Sequence, residues 1–262
     1  SFFKVLKTGQ YEVLITPYEN TSETSLDFDF VIDTKSFGEK TIIPNDPRFD
    51  DQWYLFNTGQ ADGIENIDIF APEAWKSVNS TPKITVAVID SGIDYNHIDL
   101  TNNIWINSDE IKGNNIDDDG NGYVDDYQGW DFYHDDNDPM DYHSHGTHVA
   151  GIIGAEGNNG EGIAGITWNV ELMNLKVFSD FSVDLGAKNL FDAIRYAADN
   201  GADIINLSLG FNWGDYTDYI YPSITFEQYK NAAPESYQLY YDALNYAHNK
   251  GSTIVAALGN ET

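Results

Sequence analysis

The chain contains no cysteine. Disulfides, thiolate metal sites and a thiol nucleophile are therefore excluded. Basic residues are scarce: 13 Lys and Arg stand against 43 Asp and Glu, for a formal net charge of −30. Phosphate backbones call for a basic surface, so nucleic acid is not an expected partner. No apolar run approaches the roughly 20 residues that a membrane-spanning helix needs. No stretch of these residues reads as a secretory signal segment, and the first residue is Ser1 rather than an initiator methionine, which suggests a processed or a trimmed chain. Extracellular proteins without disulfides often rely on bound metal ions, so the missing Cys and the abundant Asp fit together.

What is present is enough for a core. Hydrophobic residues make up 41% of the 262, with 14 Phe, 17 Tyr and 6 Trp. That length suits one large domain or two small ones. The acidity has two readings: general solubility in a salty medium, or carboxylates clustered for Ca²⁺. Local clustering decides between them.

Residues 1–44 read as a β-rich N-terminal extension. Tyr11–Ile15 is apolar and β-branched, Leu26–Ile32 alternates, and turn formers lie between them, so the two are expected to pair as antiparallel strands. Residues 45–262 read differently. Ala71–Val78 is expected as a short helix. Strand Ile84–Ile89, a helix from His145, strand Val170–Val177 and a helix through Leu190 to Ala198 closed by Asn200-Gly201 follow. Then come strand Asp203–Gly210, a helix through Ala243 and Ala247 ended by Gly251, and strand Thr253–Ala257. Strands alternating with helices imply an α/β fold with a doubly wound, mostly parallel sheet covered on both faces. Sites in such sheets lie beyond the carboxyl ends of the strands, where Asp90 and Asn260 fall. Phe211–Glu235 interrupts the alternation as an aromatic-rich insert.

The chemistry centres on His143-Ser144-His145-Gly146-Thr147-His148-Val149-Ala150-Gly151. Gly146, Ala150, Gly151 and Gly154 leave one side of the expected helix bare, which implies that another backbone packs close to it. His145 sits where the helix begins. The stretch resembles the histidine motif of the subtilisin-like serine peptidases. Ile84-Thr85-Val86-Ala87-Val88-Ile89-Asp90-Ser91-Gly92 is similar to that family's aspartate motif, and Ala256-Ala257-Leu258-Gly259-Asn260 to the stretch carrying its oxyanion-hole asparagine. The resemblance covers roughly Asn45 to Thr262. It implies that His145 is the general base, that Asp90 orients it, and that Asn260 donates to the tetrahedral oxyanion. Loss of such an asparagine donor slows the reaction by about 10²–10³, a figure that comes from subtilisin. Ser208-Leu209-Gly210 would line the groove for a polypeptide substrate. Ser91 adjoins Asp90 at a position where the family places no nucleophile. The family's own nucleophile lies in a Gly-Thr-Ser-x-Ala stretch, and none occurs in this sequence. The expectation is a secreted serine endopeptidase whose serine is carried by a C-terminal fragment of the same protein. The alternative is a catalytically inactive, calcium-binding interaction module.

Three groups of oxygen donors are candidate Ca²⁺ sites. Asp117, Asp119 and Asn121 stand at positions 1, 3 and 5 of an EF-hand-like loop, with Gly122 at position 6. Gln128 replaces the usual Glu at position 12, so Asp126 and the carbonyl of Tyr123 are expected to close the shell. Asp131, Asp136 and Asp138 resemble a calcium loop of thermitase-like members of the family, although His134 and Met140 replace ligands there. Asp46, Asp99 and Asn159 match ligands of a third site common in that family.

Overall fold

In a computed structural model of the chain, the described residues are 3–6, 10–13, 41–78, 82–180, 187–209, 231 and 234–257. They divide into two units, Ser1–Ile42 and Ile43–Thr262. In the first, β1 (Phe3–Leu6) pairs antiparallel with β2 (Gln10–Val13). The described partner of β2 is thus the strand just before it in sequence, across a short connection with little closure entropy. Leu26–Ile32, the partner expected from the sequence, lies outside the described residues.

Among the described residues, the second unit is built on five parallel strands: β3 (Ile84–Asp90), β4 (Gly129–Asp131), β5 (Val170–Lys176), β6 (Ile204–Leu207) and β7 (Thr253–Ala256). Their order is β4-β5-β3-β6-β7. The sheet is covered on both faces, and the pleat of β3 shows how. Val86 and Val88 join Leu172 and Ala150 in one core, and Ala150 belongs to α2 (His145–Gly154). Ala87 and Ile89 face the other way. They pack with Leu190 and Ile194 of α3 (Ala187–Asp199) and Ala243 and Ala247 of α4 (Pro234–Lys250). An element with period two between two helical layers gives this doubly wound arrangement. A shorter helix, α1 (Ala71–Val78), buries Trp75 against Phe49 and Trp168.

Central strand β3 is buried from Val86 onward, whereas edge strand β7 leaves Val255 51% exposed. The sequence did not reveal β4, which is three residues long and wedged between acidic loops, too short to carry a period. Gly201 and Gly251 close α3 and α4 with φ of 76° and 106°, the left-handed conformation expected of them. Most of the insert, Gly210 and Asn260 lie outside the described residues.

Candidate active site

Asp90 ends β3 and is fully buried. Its Oδ1 accepts hydrogen bonds from the Ser91 N–H (2.7 Å) and from Nδ1 of His145 (2.7 Å). Its Oδ2 is buried without a hydrogen-bond partner. Burial pushes the Asp90 carboxyl above its usual range, against the opposing pull of the bonds from His145 and Ser91. The His145 side chain is 49% exposed. One ring nitrogen is thus held by a buried carboxylate while the imidazole faces solvent, as a proton-transfer group needs.

The fold brings α2 against β3 and β5 by removing side chains. A Cβ on Gly146 would lie 2.1 Å from the Gly92 carbonyl oxygen, and one on Gly154 would lie 2.5 Å from Val170. The start of α2 is set by a residue that sequence reasoning missed. Ser144 has φ of 78° and its side chain makes no cap. Asp141 does the capping instead. Its carboxylate accepts from the N–H groups of His143 (2.8 Å), Ser144 (2.8 Å) and Thr147 (2.9 Å) and from the Thr147 hydroxyl (2.6 Å). Ser91 Oγ also donates to Asp141 (3.0 Å) and accepts from the Gly146 N–H (2.9 Å). Ser91 therefore ties the aspartate strand to the histidine helix. A negative charge at a helix start also favours the helix dipole. The available signal was an Asp four residues before His145. A cavity of about 440 Å³ runs along α2 past Thr147 and His148. Neither Asp90 nor His145 lines it, so it is not where proton transfer would occur.

The three carboxylate groups differ. Asp117 is spent on its own turn: its oxygens accept from Gly120 (2.8 Å), Asn121 (3.0 Å) and Gly122 (2.9 Å). These N–H groups, Gly122 foremost, hold its pKa below the usual value. Among the described residues, the three carboxylates whose oxygens lie within 4.8 Å of one another are Glu110, Asp119 and Asp126. Glu110 was not anticipated. It enters from before the loop, whose motif has Gln128 in place of an acid at position 12. It is 5% exposed, and its Oε2 has no hydrogen-bond partner. Asn121 Nδ2 bridges Asp119 and Asp126 (3.0 and 2.9 Å), and Asn107 Nδ2 does the same (3.1 and 2.8 Å). The Tyr196 hydroxyl donates to Asp126 (2.5 Å). Burial pushes Asp126 up and the Tyr196 phenol far up. The side chain of Tyr123 packs on Trp130, Phe132 and Tyr196. A hard dication suits this all-oxygen set.

Asp46, Asp99 and Asn159 are brought together. Asn159 donates to Asp99 through its side chain (2.9 Å) and lies over Asp46 through its N–H (3.4 Å). The structure does not gather Asp131, Asp136 and Asp138 into such a cluster. Asp131 Oδ1 accepts from Tyr133 and His134 N–H (2.8 and 2.9 Å), and its Oδ2 meets His134 Nδ1 (2.8 Å) and Lys176 Nζ (3.4 Å). Asp136 caps Asp138, and Asp138 accepts from Tyr95 (2.8 Å). The sequence pattern did not foresee that a lysine from β5 would enter this loop.

Residues 81–262 match the model of the subtilase family of peptidases. This chain belongs to the subtilase family. It is 33% identical to the thermophilic serine proteinase of Bacillus sp. (strain AK1), over 99% of this chain and 50% of that protein. It is 43% identical to subtilisin-like protease 1 of Plasmodium berghei, over 80% of this chain and 32% of that protein. The chain thus spans half or less of these curated relatives. Among solved structures, the epidermin leader peptide processing serine protease of Staphylococcus aureus aligns with a TM-score of 0.51 at 23% identity, over 85% of this chain and 46% of that chain, a likeness of fold.

In this subtilase chain, Ser208 and Leu209 follow the carboxyl end of β6, the neighbour of β3. Both are partly buried; Ser208 Oγ accepts from Asn206 Nδ2 (2.9 Å), and Leu209 packs on the core beside α3. They therefore stand on the edge of the sheet that carries Asp90.

Proposed function

We propose that this chain supplies the base half of a subtilisin-type serine endopeptidase site, and that the nucleophilic serine comes from a further part of the same protein. The observation that carries this reading is the 2.7 Å bond between fully buried Asp90 and half-exposed His145. Asp90 fixes the Nδ1–H tautomer and leaves Nε2 free to take a serine proton and return it to the leaving amine. Asp90 then stabilises the imidazolium that forms. Asn260 is assigned as the oxyanion donor by the sequence motif, and Ser208-Leu209-Gly210 as the wall of the substrate groove. The apolar, half-exposed Val255 on edge strand β7 supports a neighbouring segment lying there.

Ca²⁺ is proposed as a structural cofactor. Glu110, Asp119 and Asp126 would hold one ion, with Asn121 and the Tyr123 carbonyl assigned to it by the sequence motif. The orphaned Glu110 Oε2 supports this, since a buried carboxylate oxygen without a partner is costly. Asp46, Asp99 and Asn159 would hold a second. A metal-stabilised, cysteine-free, strongly acidic chain fits secretion.

The test is covalent labelling of the assembled protein with a serine-directed phosphonate. The reading predicts a labelled polypeptide carrying Gly-Thr-Ser-x-Ala. With His145→Ala, labelling should slow by roughly 10⁴–10⁶, a magnitude that subtilisin sets rather than this structure. Labelling that is indifferent to His145 would sink the reading. No labelling of any associated polypeptide would leave the inactive calcium-binding module.

A further inference from the structure

At the carboxyl edge of the sheet, Asp131, Lys176 and Asp90 lie side by side on β4, β5 and β3. They continue the pleat face of Leu172, Val86 and Val88, the face that α2 covers. The Lys176 side chain is 1% exposed. Burying an ammonium is tolerated only where oxygens surround it, and here they do. Nζ donates to the Met140 carbonyl (2.9 Å), pairs with Asp180, lies 3.4 Å from Asp131 Oδ2, and sits 5.1 Å from the centre of the Tyr142 ring. Two residues earlier on the same face, Asn174 Nδ2 donates to the carbonyls of Pro139 (2.9 Å) and Ile93 (3.2 Å). Gly92 leaves room for this, since a Cβ there would lie 2.5 Å from the Pro139 carbonyl oxygen.

Two polar side chains of β5 therefore grip two successive carbonyls, Pro139 and Met140. The next residue is Asp141, whose carboxylate sets the first turn of α2 and so the position of His145. We propose that the Lys176 ammonium is the resident cation of the Asp131 loop, standing where a metal ion would otherwise be required, and that it is a positioning residue for His145 through Met140 and Asp141. The loop then needs no calcium. The placement of His145 becomes independent of the metal supply, although the Glu110 loop stays metal-dependent. That His145 acts as a base rests on the function proposed above; that Lys176 places it does not, and the two are tested separately.

The experiment is NMR of the full chain with Lys176→Met and Asp180→Asn, read at the amides of His143, Ser144 and Thr147 and at the downfield Nδ1 proton of His145. Lys176→Met should speed exchange of the three amides about tenfold or more, because a hydrogen-bonded charge is lost. It should also broaden or shift the His145 proton, while amides of β3, which exchange through global opening, should follow the loss of global stability alone. Asp180→Asn, at a partly exposed side chain, should move the same signals by less and guards against failure of the first variant to fold. Adding calcium to the unsubstituted chain should leave these signals and those of Asp131 in place. Unchanged exchange and an unchanged His145 signal in both variants would overturn the proposal. So would displacement of the Lys176 contacts by calcium. Neither result would bear on serine labelling, which tests the function alone.

Discussion

Residues 107–126 and residues 131–141 are Asp-rich segments on either side of β4, and they balance their charge in different ways. In the first, the groups that reach Asp119 and Asp126 are neutral: the amides of Asn107 and Asn121 and the Tyr196 hydroxyl. The loop's own base, Lys112, goes elsewhere, to Gln128 and over the Tyr127 ring. Glu110 is left with an unpartnered oxygen. In the second, Asp131 meets Lys176 and His134 and has no oxygen to spare. Burial disfavours the Lys176 charge, but the bond and charge of Asp180, with Asp131, outweigh it and hold the pKa above the usual lysine value. On the proposal made above, the number of carboxylates in a loop does not decide whether it binds metal; whether the chain brings its own cation to them does.

The largest way to break the contrast is to take that cation away. Lys176→Met should destabilise the second unit by about 3–5 kcal/mol, the cost of leaving a buried charge without its partner. Denaturant unfolding of the full chain measures this. Next comes removal of metal from the first loop. At a free calcium concentration about 100 times the dissociation constant, a chelator should remove roughly 2.7 kcal/mol. For a unit of this size that lowers the melting temperature by roughly 5–10 °C. Glu110→Gln should abolish the calcium response of this site, and Asp136→Asn should leave it intact. Tyr196→Phe sharpens the same point. It removes the hydroxyl bonded to buried Asp126 and should cost about 1.5 kcal/mol, seen in both chelated and calcium-loaded chains.

The smallest effect lies in His134. Its bond to Asp131 raises its pKa. A raised histidine pKa adds stability that is fully present below the unfolded value, about 6.5, and is lost as pH rises through the higher folded value. The side chain is 41% exposed, so the gain is under about 1 kcal/mol. His134→Gln should therefore melt below the unsubstituted chain near pH 5.5, and the gap should close near pH 8.5.

Much of this architecture was legible in the sequence, for identifiable reasons. The apolar runs of β3 and β5, the glycines of α2 and the closing Gly201 and Gly251 are local signals, and the fold places them as those signals imply. Asp90 and His145, 55 residues apart, were joined by motif rather than by period, and they meet at 2.7 Å. What was not legible is long-range. Lys176 reads in sequence as the polar end of a strand, and only the register of β4 beside β5 brings it to Asp131. Glu110 precedes the loop motif and enters the cluster through the fold of residues 107–126. Asp141 looks like one more acid in an acidic run until its hydrogen bonds to the α2 turn are seen.

The most direct test of the contrast is a calcium titration of the chelated, isotope-labelled full chain, followed by amide and side-chain NMR. The predicted result is large shifts at Glu110, Asp119, Asn121 and Asp126, with Asp131, Tyr133, His134 and the Lys176 ammonium unmoved. Calcium-dependent shifts at Asp131 and Lys176, with the Glu110 loop silent, would contradict it.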